Sequence, residues 1–310
     1  MVALGKLTAS VLALIVLGAG LTGCSAEQPR SLGEDITVGS HGTMEGEILA
    51  QIYGQALADN GFVVDYNYGV GSYTNAVASM RTGIVDLIPD YAGGLLKKVD
   101  PHSTTSVPEV ILSDLPVALA PLGLAMLEPS GAESTMGFVT TREYVAAHSL
   151  VSIGDISLFA SAVSIGGEAD FETSAYGRLA LLNNYGINEW KAVERENDAA
   201  IIEDLVENRT QVAIVPKATP GIVENGLVIL NDPQHLLDPN PIVPIIPARK
   251  YSPEFAEVVN SVSEKLTTEE LAWLKGLAQD SENETGTEQT IDTIARTWLK
   301  NQGLIEVDES

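Results

Sequence analysis

The feature that most constrains the fold of this chain is the short apolar stretch at 84–94, Ile-Val-Asp-Leu-Ile-Pro-Asp-Tyr-Ala-Gly-Gly. Its length, its apolar content and the flanking glycines are typical of a strand buried between two layers rather than of a helix. Pro89 has no amide hydrogen for a β-ladder, so strand pairing is expected to end there. Tyr91 then lies on the following loop, beyond the carboxyl end of a strand, where open α/β sheets bind ligands. The spacing equally allows Tyr91 to be a loop aromatic that packs on a helix.

Two strands and two helices precede this stretch and indicate a parallel sheet. A first strand at 36–40 is followed by a turn at 41–43 and by a helix from about 44 to 60, whose apolar residues recur on one face. A second strand is predicted at 62–68, where apolar or aromatic residues alternate with others, and a second helix ends at Gly83. The order β-α-β-α-β gives a parallel sheet with right-handed crossovers.

The second helix begins at a glycine turn, Gly69-Val-Gly71, followed by Ser72. This turn lacks the third glycine and the acidic residue of a dinucleotide-binding fingerprint. Free amides at a helix N-terminus bind anions or carboxylates. Ser72 is therefore either part of such a ligand site or part of a plain turn.

The first residues of the chain have the pattern of an export signal. Lys6 precedes an apolar run that is too short to span a membrane, and small residues close the run at Leu21-Thr-Gly-Cys24. This ending resembles the bacterial lipoprotein box, which implies removal of residues 1–23 and a lipid on Cys24. The alternative is an ordinary signal peptide with an incidental cysteine. Residues 24–35 are polar and without periodicity, as expected of a tether.

The charge of the chain limits its partners. The formal net charge is −25, and an acidic surface repels both phosphate backbones and anionic lipids. The charge therefore argues against nucleic acid as a partner, and any membrane contact is expected to come from the lipid anchor.

The chain after residue 100 predicts a second lobe and a return to the first. Little pattern is visible until an apolar segment at 117–127, and a second series of short strands and helices follows. Its helix and strand near 200–214 repeat the pattern of 75–89. Breaks after Glu128 and Asn231 divide the chain into lobe A, residues 36–128 plus 232–310, and lobe B, residues 129–231. Two crossings between lobes are typical of a hinged protein that binds its ligand between them.

No motif of an enzyme accompanies this architecture. The single cysteine is assigned to the anchor, and neither a Gly-x-Ser-x-Gly elbow nor a His-Glu-x-x-His motif is present. The four histidines lack the spacing of metal ligands. The sequence therefore predicts a protein that is not an enzyme and that needs neither a metal nor a cofactor.

Several motifs spread over the chain carry a family resemblance. They are Ile36-x-Val-Gly-Ser40 before a helix with Glu45, Tyr53-x-x-Ala-Leu57 before Gly61, Gly83-x-x-Asp-Leu-x-Pro-Asp-Tyr-x-Gly93, Gly166-Gly167 with Phe171, and Leu266-Thr-x-Glu-Glu270. Together they resemble the glycine betaine/carnitine/choline/proline betaine-binding (OpuAC-like) proteins of ABC importers. The resemblance implies an α/β, two-lobed periplasmic-binding-protein-like (type II) fold with hinge crossings. It also implies a small zwitterion or amine as ligand, and an ABC permease with its ATPase as partners.

The same resemblance implies one ligand-binding residue directly and several weaker candidates. Tyr91 matches the family tyrosine that forms one wall of an aromatic cage, which holds a quaternary ammonium by cation–π attraction. Ser40 and His41 follow the first strand, where His41 is either a donor to a ligand carboxylate or a surface histidine. Lys217 follows a lobe B strand and is either the cation for an anionic group or a solvated lysine. Few other aromatic residues follow lobe B strands.

Three readings of the role remain open at this point. The resemblance implies an importer component, lipid-anchored on the outer face of the cytoplasmic membrane. A binding lobe for another small polar solute, or an anchored receptor without a transport role, would have the same architecture.

Overall fold

The computed structural model describes residues 35–283 and 290–306. The predicted signal segment, Cys24 and the tether up to residue 34 lie outside these ranges. Within them, every helix is too short or too polar to cross a membrane.

The strands of the described residues form three hydrogen-bonded sheets, two in lobe A and one in lobe B. Along the chain they are β1 (Asp35–Gly39), β2 (Val63–Asn67), β3 (Ile88–Tyr91), β4 (Leu124–Met126), β5 (Met136–Thr140), β6 (Ser164–Glu168), β7 (Lys191–Arg195), β8 (Val212–Pro216), β9 (Val228–Ile229) and β10 (Ile242–Pro247). The α-helices are α1 (Met44–Asp59), α2 (Tyr73–Thr82), α3 (Ala92–Val99), α4 (Pro108–Leu119), α5 (Arg142–His148), α6 (Arg178–Tyr185), α7 (Asp198–Val206), α8 (Pro220–Glu224), α9 (Pro253–Lys265), α10 (Thr268–Asn283) and α11 (Ile291–Asn301).

The two lobes share one strand arrangement. In lobe A, β1 pairs in parallel with β2, and a bridge between Val38 and Leu87 joins β1 to the end of the group β3-β10-β4. In lobe B the order is β7-β6-β8-β5-β9. Each lobe contains an antiparallel strand pair beside its parallel strands. In lobe A, β10 pairs antiparallel with β3, and in lobe B, β5 pairs antiparallel with β8. The strand pairing in each lobe is therefore mixed, not wholly parallel as the alternating pattern predicts.

The chain passes between the lobes twice. The first passage lies between β4 and β5, and the second lies between β9 and β10. Ala132 still belongs to a core cluster of lobe A, whereas Leu237 belongs to that of lobe B. The two connecting segments lie next to each other, as shown by the hydrogen bond from the Ser134 amide to the Asn240 carbonyl at 3.1 Å.

The stretch at 84–94 differs from its prediction at both ends. Ile84 is exposed, because Gly83 ends α2 in a left-handed conformation and the strand starts only at Ile88. The strand does not end at Pro89, which lies directly opposite Pro244 of β10. Antiparallel pairs alternate between hydrogen-bonded and non-hydrogen-bonded positions, and two prolines fit opposite each other in the second kind. Tyr91 is consequently the last residue of β3, and α3 begins directly after it instead of a loop.

Candidate ligand-binding site

Tyr91 is held in place where β3 ends and α3 begins. Its hydroxyl donates to Glu45 Oε1 at 2.6 Å, and its ring stacks on the His41 ring with the centroids 6.3 Å apart. Burial, followed by the adjacent Glu45 charge, raises the pKa of the Tyr91 hydroxyl well above its ordinary value. The phenol therefore stays neutral, and the ring keeps one orientation at the strand end.

His41 is engaged at both ring nitrogens. Nδ1 contacts the Gly71 carbonyl, and Nε2 lies 2.9 Å from Asp90 Oδ1. A carbonyl oxygen can only accept, so Nδ1 carries a proton, and the Asp90 carboxylate favours a second proton on Nε2. The hydrogen bond to Asp90 raises the pKa of His41, and this effect and the Asp90 charge outweigh the opposing effect of burial.

A second tyrosine completes a group of three rings on lobe A. Tyr73, the first residue of α2, meets the His41 ring edge-on at 5.2 Å between centroids. Burial and the nearby Asp90 charge raise the pKa of Tyr73 to about 12. We call His41, Tyr73 and Tyr91 the ring cluster. It lies at the ends of β1 and β3 and at the start of α2, where ligands of such sheets bind.

A chain of polar contacts leads from Tyr91 towards lobe B. Glu45 Oε2 pairs with Lys275 Nζ of α10 at 2.8 Å. Burial disfavours the Glu45 charge, but the Lys275 ammonium and hydrogen bonds from Lys275, Tyr91 and Ser134 outweigh it and lower the pKa of Glu45. Lys275 also acts electrostatically on Asp198 at the start of α7 in lobe B.

An open cavity of about 750 Å³ lies between α10 and the lobe B helices α7 and α8. Its lining includes Lys275 from α10, and Glu168, Asn197, Asp198 and Thr219 from the ends of lobe B strands and the starts of the helices that follow. This volume lies within the range of small-molecule sites. Lys275 connects the cavity to the ring cluster, because it lines the cavity and pairs with Glu45, which accepts the Tyr91 hydroxyl.

The structure brings four of the predicted site residues together and places the fifth at the passage between lobes. Ser40 is buried beside His41, and its hydroxyl donates to the Tyr68 carbonyl at 3.3 Å. Ser72 is the exposed N-cap of α2, next to Tyr73, and its side chain makes no capping hydrogen bond. Lys217 directly follows β8, and its Nζ pairs with Glu133 Oε1 at 2.5 Å. His41 is engaged at both ring nitrogens and the Lys217 side chain is 24% exposed, and the ligand contacts of both residues stay predictions.

Four residues of the site were not predicted as such: Tyr73, Glu45, Asp90 and Lys275. Tyr73 and Asp90 adjoin predicted residues, so a wider reading of the same strand and helix ends would have included them. Lys275 is 230 positions from Glu45 and carries no local signal of its role. Among the described residues, no group of histidine, cysteine or carboxylate side chains has the arrangement of a metal site.

The chain matches the sequence profile of the OpuAC family, described as the substrate-binding domain of ABC-type glycine betaine transport systems, over residues 34–301. The chain belongs to this family. The OpuAC profile covers both lobes and all of the site residues described above. No curated protein gives a significant sequence match to the chain.

Solved structures of similar proteins support the OpuAC assignment at the level of the fold. A glycine betaine/carnitine/choline ABC transporter protein aligns with a TM-score of 0.76 and 16% identity, covering 88% of this chain and 100% of the other. The apo form of YehZ from Escherichia coli aligns with a TM-score of 0.75 and 19% identity, covering 87% and 99%. Lactococcal OpuAC, in its closed conformation with bound glycine betaine, aligns with a TM-score of 0.51 and 16% identity, covering 87% of this chain and 96% of the other. The chain thus has the two-lobed fold of periplasmic binding proteins.

Proposed function

We propose that this protein is the extracytoplasmic solute-binding lipoprotein of an ABC importer. It captures a small osmoprotectant-like zwitterion or amine of the glycine betaine class between its lobes and delivers it to the permease. The family supports the importer role. The ring cluster is the observation that supports this ligand class.

The two tyrosines of the ring cluster suit a positively charged, weakly hydrated head group, and the Asp90 carboxylate offsets the charge of His41 beside them. A quaternary ammonium has no N–H to donate, so aromatic faces hold it by cation–π attraction. Burial keeps the hydroxyls of Tyr91 and Tyr73 neutral, and both tyrosines lie near the buried Asp90 carboxylate. One such wall contributes about 0.5–2 kcal/mol, whereas micromolar affinity needs roughly 8 kcal/mol. Lobe B therefore has to supply further contacts when the cleft closes.

We further propose that lobe A comprises residues 36–128 plus 232–310 and that lobe B comprises residues 129–231. The hinge segments lie a few residues after each of these boundaries. The core contacts of Ala132 and Leu237 favour hinge segments at 133–135 and 238–240. Lys217 supports the first of these, because its amide donates to the Thr135 carbonyl at 2.8 Å and its side chain pairs with Glu133.

Tyr91→Ala should weaken binding of the best ligand at least tenfold, because it removes the ring at the end of β3. Calorimetric titration against betaines, choline, carnitine, amino acids and sugars identifies that ligand first. Tyr251→Ala, which removes a tyrosine that is 57% exposed on lobe A, is the matched control and should leave the affinity unchanged. An unchanged affinity for Tyr91→Ala, or binding of a sugar alone, would contradict the proposed site and ligand class.

Cys24→Ala should release the protein from the membrane or block its processing, because the proposed lipid is attached through that sulfur. The support is the sequence Leu21-Thr-Gly-Cys24 after an apolar run. Membrane fractionation and intact-mass measurement distinguish the anchored form from the released one. An unchanged mass and unchanged retention in the membrane would contradict the anchor.

A further inference from the structure

We propose that Asn240 is a positioning residue of the ligand site, which joins the hinge to the ring cluster so that movement of the lobes changes the placement of Tyr73 and Tyr91. This inference rests on the proposed function, because it takes the ring cluster as part of the ligand site and 238–240 as a hinge segment. It adds to that function a coupling between closure of the lobes and the two tyrosines.

The backbone of Asn240 is bonded to the other hinge segment. Its carbonyl accepts the Ser134 amide at 3.1 Å, and its amide donates to the Thr135 hydroxyl at 2.8 Å. Ser134 and Thr135 both belong to the segment at 133–135. A rearrangement of that segment when the lobes open or close therefore acts directly on Asn240.

The side chain of Asn240 contacts lobe A where α3 begins. Its Oδ1 accepts the Gly94 amide at 3.1 Å, and the side chain also hydrogen-bonds the Tyr73 hydroxyl. The first amides of a helix have no partner within the helix, and the side chain of Tyr91, the N-cap residue of α3, makes no capping hydrogen bond. Asn240 therefore supplies the capping acceptor for the helix that begins directly after Tyr91.

Two glycines allow this close contact between α3 and the hinge. A Cβ at Gly93 would clash with the Pro239 carbonyl and would lie 3.2 Å from Asn240 Oδ1. A Cβ at Gly94 would clash with the Tyr73 hydroxyl. Because the contact has no room for a methyl group, a displacement of the hinge segment is passed on to α3 and Tyr73 instead of being absorbed.

The first hinge segment leads to the other tyrosine. The Ser134 hydroxyl hydrogen-bonds the Glu45 carboxylate, which accepts the Tyr91 hydroxyl at 2.6 Å. The Ser134 amide is the group that donates to the Asn240 carbonyl. The two hinge segments are thus bonded to each other, and each leads to one tyrosine of the ring cluster.

Asn240→Ala tests the inference, because it removes the side-chain contacts and keeps the backbone hydrogen bonds of the hinge. Calorimetric titration with glycine betaine and with choline identifies the probe that the wild type binds more tightly. The variant should bind that probe at least about fivefold more weakly, the effect of one lost hydrogen bond. Asn184→Ala, which removes a side-chain hydrogen bond to the Ala180 carbonyl on α6, is the matched control and should leave the affinity unchanged.

The melting temperature separates positioning from a purely structural role. A lower melting temperature with unchanged affinity in Asn240→Ala would mean that the side chain only stabilises α3. That result, or an unchanged affinity at an unchanged melting temperature, overturns the inference and leaves the proposed function standing. Binding of neither probe by the wild type overturns both.

Gly93→Ala tests the coupling from the side of α3. The added methyl group should displace the hinge at Pro239, which should change the radius of gyration of the ligand-free protein in small-angle X-ray scattering. The same variant should bind the probe at least about fivefold more weakly. Gly131→Ala is the control and should change neither value, because its Cβ would have only ordinary contacts, the nearest at 3.5 Å from the Leu266 carbonyl. The absence of either effect in folded Gly93→Ala overturns the inference.

Discussion

Replacing Lys275 with methionine should lower the free energy of unfolding by about 3–5 kcal/mol, the usual cost of removing one member of a buried ion pair. The change leaves Glu45, whose side chain is only 12% exposed, without its cation. Glu45 should then become protonated or draw water into the cleft. Because Glu45 also accepts the Tyr91 hydroxyl, ligand affinity should fall together with stability.

Urea unfolding followed by tryptophan fluorescence measures this loss, and two variants provide controls. Lys265→Met removes an exposed lysine that lies 3.9 Å from Glu264, and it should cost less than about 1 kcal/mol. The double variant Glu45→Gln, Lys275→Met removes both charges and should recover part of the loss. A single variant as stable as the wild type would show that the pair does not hold the cleft together.

The same pair predicts how this difference depends on pH. The pKa of Glu45 is lowered in the folded protein, so its contribution is fully present above the unfolded pKa and is lost as the pH falls through the lower folded value. The gap between wild type and Lys275→Met should therefore be complete near pH 7 and narrow below about pH 4. A gap that widens in acid would contradict this assignment.

Local sequence signals were sufficient wherever an element is defined by its own residues. Helix α1 was predicted from about residue 44 to 60 and spans Met44–Asp59. The Gly46 amide donates to Thr43 Oγ1 at 3.0 Å, so the start of the helix is encoded by adjacent side chains. The resemblance to the OpuAC family and the two-lobed fold were likewise predicted and are confirmed.

The sequence was less informative where a partner strand decides the structure. The end of β3 was predicted too early, at Pro89, because a proline cannot donate the amide hydrogen bond that a neighbouring strand normally accepts. The residue opposite Pro89 is Pro244, so no such hydrogen bond is required at this position. Helices α3 and α4 were not predicted, since α3 contains Gly93-Gly94 and α4 contains Pro116. Glycine and proline count against a helix locally, and tertiary packing overrides this.

The site was predicted only in part for the same physical reason. Strand ends are visible in a sequence, so Tyr91 was named from its position, whereas His41 was named from the family resemblance. The groups that fix their orientation and charge, Asp90, Glu45 and Lys275, act through contacts between distant segments. A lysine on a C-terminal helix shows no sign in its neighbours that it neutralises a carboxylate at the start of the first helix.

Asp90→Ala should cost about 3–5 kcal/mol at pH 6 by leaving a protonated His41 without its partner in a buried site. Asp90 is fully buried, and its Oδ1 also accepts the Tyr91 amide at 2.7 Å, so the change removes two hydrogen bonds at the end of β3. Asp90→Asn keeps an oxygen acceptor there and should cost less, about 1.5–3 kcal/mol, the value of hydrogen bonds to a charged group.

The pH dependence of this loss separates the ion pair from the packing around it. The pKa of His41 is raised in the folded protein, so the stabilisation by the pair is fully present below the unfolded pKa of about 6.5 and is lost as the pH rises through the folded value. Urea unfolding at pH 6 and pH 9 should therefore show a larger difference between wild type and Asp90→Ala at pH 6. A difference that is equal at both pH values, or larger at pH 9, would contradict a charged His41. In that case Asp90 would act only as a hydrogen-bond acceptor, and its charge would not contribute to the ring cluster.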